Sequence, residues 1–190
     1  MNDLDIISFE SAKMWGEWLA ENHATSNGVW LRIFKKDSGR STVTYDQALD
    51  EALCYGWIDG QGKGYDEQSY LQKFTPRRKR SVWSKRNTEH VERLIKEGRM
   101  KQAGLQEVEA AKADGRWAKA YDSPANMQIP DDFLSELSKT PNALAFFQTL
   151  NKSNTFAIAY RLQTAKRPET RQRRMKAILE MLARGEKFHG

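Results

Sequence analysis

The feature that most constrains this chain is a break in its patterning. Strand-like runs occur only before Pro76, and from Ser84 onward the periodic segments are almost all helical. Before the break, Gly28–Lys35 is apolar on both parities, which suits a strand covered on most of both faces. A short strand at Trp57–Gly60 is followed by a glycine turn through Gly62 and Gly64. A second strand then runs over Ser69–Thr75, and Pro76 ends it for want of an amide. Two helices accompany these strands. Ser8 is placed to cap Phe9–Asn22. Thr44 and Gln47 form a capping box ahead of an apolar stripe of Tyr45, Ala48, Leu49, Ala52 and Leu53, which Gly56 stops. After the break, Ser84 or Asn87 caps a helix through Val91, Leu94 and Ile95. Another carries Leu105 and Val108 and stops at Asp114–Gly115. Tyr121–Asn126 reads as a linker. Pro130, Pro141 and Pro168 open helices, and Asn154–Ala165 is a further one.

The expected architecture is therefore α+β, with helices and a small antiparallel sheet over residues 1–122. An all-helical C-terminal unit over residues 127–190 follows. Its stripe of Met175, Ile178, Leu179 and Leu182 exceeds what four short helices can bury among themselves. The unit is expected to dock on the first half, with Arg171 or Arg174 reaching an acidic group there.

Composition narrows the function classes. No run of 18 apolar residues exists, so no membrane span is expected, and the acidic start Met1–Asp5 does not read as a secretory signal. The one cysteine, Cys54, leaves no intramolecular disulfide and no cysteine-based zinc site. His23, His90 and His189 are not spaced as helical metal ligands. These features point to a cytoplasmic protein with no metal and no cofactor. The net charge of +6 is polarised: residues 77–101 and 151–190 each hold ten basic and three acidic side chains. Those segments either solvate helix faces or form an electropositive face for an anionic partner.

Two constellations stand out. If Trp57–Asp59 is a strand, Trp57 and Asp59 share a face. Asp59 then wants a partner, with Arg77 or Arg78 at hand; the alternative is that Asp59–Gly60 is a turn. Phe74, Arg77, Arg78, Lys79, Arg80, Trp83, Ser84 and Asn87 interleave aromatics, cations and cap residues at a helix start, a pattern that suits a stacked anion. The competing use of Ser84 and Asn87 is capping, and of Trp83 a core anchor. Gly60, Gly62 and Gly64 lack the strand-to-helix context of a phosphate loop. Cys54, near a helix C-terminus, sits where a thiolate is disfavoured, His90 reads as solvated, and Asp50–Glu51 as surface.

Three blocks of this chain resemble the YdeI/OmpD-associated, bacteriocin-protection family. They are Cys54–Gly60, Phe74–Arg78 continuing to Ser81, Trp83, Ser84 and Asn87, and Ala165–Arg171 followed by Arg173 and Arg174. The resemblance implies a small bacterial protein with a C-terminal helical segment, linked to envelope stress or to resistance against bacteriocins and antimicrobials. It supplies no catalytic residues. The resulting expectation is a protein that binds an anionic small molecule or protein partner through a cleft lined by Trp57, Asp59, Phe74, Arg77, Arg78, Trp83, Ser84 and Asn87. Two alternatives stand beside it: an enzyme on a small anionic substrate, with Asp59 as base or anchor and Arg77 as clamp, and a weak nucleic-acid binder using the two basic segments.

Overall fold

The clearest local signal in the sequence is realised in full. In the computed structural model, the Thr44 hydroxyl accepts from the Gln47 amide and the Gln47 side chain accepts from the Thr44 amide. That reciprocal cap starts helix α2, Tyr45–Cys54. The structure describes residues 4–122 and 126–189. Part of the acidic N-terminal segment (Met1–Asp3), part of the expected linker (residues 123–125) and Gly190 lie outside the described residues.

Helix α1, Ala12–Asn22, begins later than expected because Ser11, not Ser8, caps it by accepting from Met14. Strands β1 (Ile6–Ile7), β2 (Val29–Phe34), β3 (Trp57–Gly64) and β4 (Ser69–Pro76) form one sheet in the order β1-β2-β4-β3. The sheet is mixed rather than wholly antiparallel. β1 pairs parallel to β2, and at two residues it is too short to carry any periodicity. The glycine run expected as a turn lies inside β3, where a register shift between Asp59 and Gly62 marks a bulge. The turn falls instead at Asp66. Its carboxylate accepts from the Gln68 amide at 3.0 Å and the Ser69 hydroxyl at 2.7 Å, closing the chain into β4.

Register fixes the two faces of the sheet. Val29 pairs with Phe74, Asp59 with Phe74, and Trp57 with Pro76, so Val29, Trp57, Asp59 and Phe74 share one face. Helices α1 and α2 cover that face. Trp15 is fully buried, lies 5.7 Å from the Phe74 ring and meets Trp57 edge-on at 6.3 Å, while Trp18 stacks on Trp15 at 5.3 Å. Such offset and edge-on pairs add about 0.5–1.5 kcal/mol each beyond the area they bury.

Helix α3 (Lys85–Lys96) and helix α4 (Gln102–Ala113) follow. Helices α5 (Asp131–Leu137), α6 (Pro141–Gln148), α7 (Lys152–Gln163) and α8 (Pro168–Ala183) complete the chain. Pro141 and Pro168 open α6 and α8, whereas Pro130 stands just outside α5. The chain divides into two units, one of Met1–Trp83 and Asn87–Lys119, the other of Ser84–Arg86 and Ala120–Gly190. Ser84–Arg86 joins the second unit because Ser84 bridges Tyr121 and the Lys85 ammonium pairs with Asp122 at 2.6 Å.

The second unit has its own core of Phe133, Leu137, Ala143, Ile158, Leu162, Ile178 and Leu182. Its two singled-out arginines are used internally. Arg171 pairs with Asp132, and Arg174 Nη1 donates to the Arg161 carbonyl at 2.7 Å. The charge complement arises within the helical unit, from the acidic first turn of α5.

Candidate functional site

Pro76 ends β4, and the chain then enters a basic turn held from several sides. The Arg77 amide donates to the Gly56 carbonyl at 3.0 Å. The Arg77 side chain is 7% exposed. Its guanidinium lies 3.4 Å from the centre of the Trp83 ring and donates through Nη1 to the Val82 carbonyl at 3.3 Å. The Ser81 amide donates to the Arg78 carbonyl at 2.8 Å, and the Arg78 amide to the Ser81 hydroxyl at 3.1 Å. Buried Arg116 donates to the Ser81 carbonyl at 3.0 Å while its Nε contacts Asp114 at 2.6 Å. Trp83 packs against Trp117 at 4.9 Å. Cation–π stacking and charge-assisted bonds thus fix the backbone of residues 77–81. Arg78, Lys79 and Arg80 project from it, all exposed, and among the described residues none has a carboxylate partner. Three exposed cations thus stand together on a turn whose backbone is held in place.

The expected site residues separate into groups. Trp57, Phe74 and Trp83 are 1%, 0% and 2% exposed, so their rings pack the interior instead of lining an open cleft. Trp57 and Phe74 each pack on Trp15 and Trp83 packs on Trp117, and the Trp57 indole donates to the His23 carbonyl at 3.1 Å. Asp59 does share the face of Trp57, as strand parity requires, and it is not a turn residue. Its partners, however, are Tyr45, which donates to Oδ2 at 2.8 Å, and Asn87, whose amide nitrogen is 3.5 Å from Oδ1. Helices α2 and α3 thus bring neutral donors to the carboxylate, while the Arg77 guanidinium lies over Trp83. Asn87 lies inside α3, third from its start, so it does not cap that helix; Ser84 directly precedes it.

A second cluster was not foreseen. Asp50, read as surface, is a buried carboxylate, and His90, read as solvated, faces it. His90 Nδ1 lies 2.7 Å from Asp50 Oδ1, and Arg93 Nη2 donates to both Asp50 oxygens at 2.6 Å. Arg99 adds a bond to Glu51 at 2.7 Å and approaches Asp50 at 3.8 Å. Burial works against the Asp50 charge, but the bonds from Arg93 and His90 outweigh it and hold the carboxyl below its ordinary value. The only sequence trace was the i, i+3 spacing of His90 and Arg93, which gains meaning once α3 is known to lie against α2. Cys54, one turn further along α2, is pushed up to about 12 by burial and by the negative charge of Glu51. Its thiol is therefore not a nucleophile at neutral pH, and the network ties two helices together rather than activating a reacting group.

Among the described residues no three His, Cys, Asp or Glu side chains group as metal ligands, and no helix is long and apolar enough to cross a membrane. No curated protein and no solved structure gives a significant match to the chain. Residues 7–107 match a domain of unknown function (DUF8412), and residues 126–185 match the family described as bacteriocin-protection, YdeI or OmpD-associated. The first match spans more than half of the chain and the second spans the helices α5 to α8, so the chain belongs to the DUF8412 family and carries, C-terminal to it, a domain of the YdeI/OmpD-associated family.

Proposed function

We propose that this is a cytoplasmic binding protein for an anionic ligand, a phosphate- or carboxylate-bearing small molecule or protein segment. The proposed contacts are Arg78, Lys79 and Arg80, and the proposed role is resistance to bacteriocins or envelope stress. The observation that carries the reading is the fixed turn: Arg77 stacked 3.4 Å over Trp83 and Arg116 bonded to Ser81 hold three exposed cations on a rigid backbone. The enzymatic alternative has less support. Arg77, its substrate clamp, is buried, and both Asp59 oxygens already accept hydrogen bonds. The description of the C-terminal family as bacteriocin-protection is what favours the bacteriocin part of the proposed role.

The test has two arms. Calorimetric titration with inorganic pyrophosphate and with a hexaglutamate peptide should give saturable binding to the wild type for at least one of them. Arg78→Ala/Lys79→Ala/Arg80→Ala should lower that affinity at least tenfold, because each charge-assisted bond contributes roughly 1.5–3 kcal/mol. A bacterial strain lacking the gene should regain tolerance to a cationic bacteriocin with the wild-type chain and not with the triple variant. Identical titrations for the two proteins, or full complementation by the variant, reject the turn as the site.

A further inference from the structure

The face of the sheet turned away from α1 and α2 carries a pattern that none of the readings above uses. Register places Trp30 opposite Lys73, and Arg32 and Lys63 both opposite Leu71, all on that face. There the aromatics and cations alternate. Lys63 Nζ lies 4.3 Å over the Trp30 ring and Lys73 Nζ 5.8 Å from it. The Arg32 guanidinium is 4.6 Å from the Phe34 ring and 5.0 Å from the Tyr65 ring, and Arg40 is 5.0 Å from Phe34. Tyr65 is 50% exposed, Lys63 and Arg40 are exposed, and Trp30, Arg32, Phe34 and Lys73 are half-buried. Arg32 is held in plane by Ser69 at 2.9 Å and by Asp66 at 2.6 Å. Arg40, Lys63 and Lys73 have no carboxylate partner among the described residues. Past Phe34, at the border with α1, lies a groove of about 490 Å³ shared between Arg32, Phe34 and Arg40 and, around the start of that helix, Phe9, Glu10 and Met14.

We infer that this sheet face binds single-stranded nucleic acid. Such ligands are held where flat π surfaces for bases alternate with cations for phosphates, and a sheet whose aromatics stack two or three bases is a recurring solution. Trp30 and Phe34 are four residues apart on β2, about 13 Å along the strand at the usual rise. The fixed Arg32 plane and Tyr65 lie between and beside them. Lys63 and Lys73 sit on flexible stems, so each can leave the Trp30 ring for a phosphate and expose the ring to a base. The groove beyond Phe34 is large enough for a terminal nucleotide. A duplex hides its base faces and cannot use these rings. A polyanion without bases uses only the cations. This surface is separate from the Arg78–Arg80 turn, so either proposal can fail alone.

The test is fluorescence anisotropy of the full-length chain with labelled twelve-residue dT and rU oligonucleotides. Saturable binding is expected. It should weaken about twentyfold between 50 and 200 mM salt if Arg40, Lys63 and Lys73 each neutralise one phosphate, at a slope of about −0.7 per contact. Tyr65→Ala, at an exposed position, should lower affinity about fivefold or more, the range seen for loss of one base stack. Lys63→Glu/Lys73→Glu should lower it at least tenfold, with an unchanged thermal midpoint showing the fold intact. The Arg78–Arg80 triple alanine variant should stay within threefold of wild type. Absence of oligonucleotide binding overturns the inference. So does equal affinity for duplex or for polyglutamate, or indifference to the Tyr65 and lysine substitutions.

Discussion

At Asp50 burial and hydrogen bonding pull in opposite directions, and the bonds win: with Arg93 and His90 as partners its carboxyl stays ionised below the ordinary value of 3.8. A folded-state value below the unfolded one gives stability that is present in full above the unfolded value and is lost as pH falls through the folded one. Asp50→Asn should lower unfolding stability at pH 7 by about 1.5–3 kcal/mol, the range for hydrogen bonds to charged groups. It should also flatten the loss of stability below about pH 4, because the amide does not titrate there. Urea unfolding of both proteins at pH 7 and pH 3 checks this. Equal differences at the two pH values would show that Asp50 does not titrate with folding. At this scale the sequence was legible wherever the chemistry was local. The Thr44–Gln47 box involves residues three apart, and the parity of Trp57 and Asp59 follows from two residues of one strand. It was not legible for Asp50 and Asp59. Their partners stand 40 and 43 residues away for Asp50, and 14 and 28 residues away for Asp59.

Helix α4 approaches the end of α2 so closely that only glycine fits at the contact. A Cβ on Gly104 would lie 2.3 Å from the Cys54 carbonyl oxygen and 2.7 Å from that of Leu53, backbone atoms that cannot swing aside. Gly104→Ala should therefore destabilise the protein by about 1–3 kcal/mol, the usual cost of overpacking. Gly64→Ala, with nothing within 4 Å, should stay within about 0.5 kcal/mol of wild type. Thermal melts of the pair decide between a packing constraint and a general intolerance of alanine. Helices with strong terminal signals were readable, as α2, α6 and α8 show. The β3–β4 hairpin was misplaced because the Asp66 side chain closes a turn of its own, which releases the glycines into the strand. The two-residue β1 had no pattern to read; it exists because β2 offers an edge to pair with.

Two cores organise the whole molecule. All six tryptophans lie in the first unit, and the second is built on aliphatic residues and phenylalanine around Ile158. Tryptophan emission therefore reports on one core, whereas far-ultraviolet circular dichroism reports on both. Ile158→Ala should cost about 2–5 kcal/mol in its own core, as deletions of buried aliphatic side chains do. The dichroism midpoint should then fall further than the emission midpoint. Superimposable transitions in the variant would mean that both cores unfold in a single step.

The sequence by itself determined the elements: the capping box, the proline starts, the arrest of β4 at Pro76, and the change from mixed to helical patterning. Each of these rests on interactions within a few residues, and so does the Lys166–Arg174 block that identified the C-terminal family. Only the tertiary structure decided what the side chains are used for. Trp57 and Phe74 became core once α1 and α2 covered their face of the sheet, Trp83 once Trp117 met it, and Arg77 was committed to Trp83. Arg171 found Asp132 inside its own unit. Trp30, Phe34 and Tyr65 were left at the solvent face among lysines and arginines. Burial and ion pairing depend on which distant segments meet, and no spacing along the chain encodes that meeting.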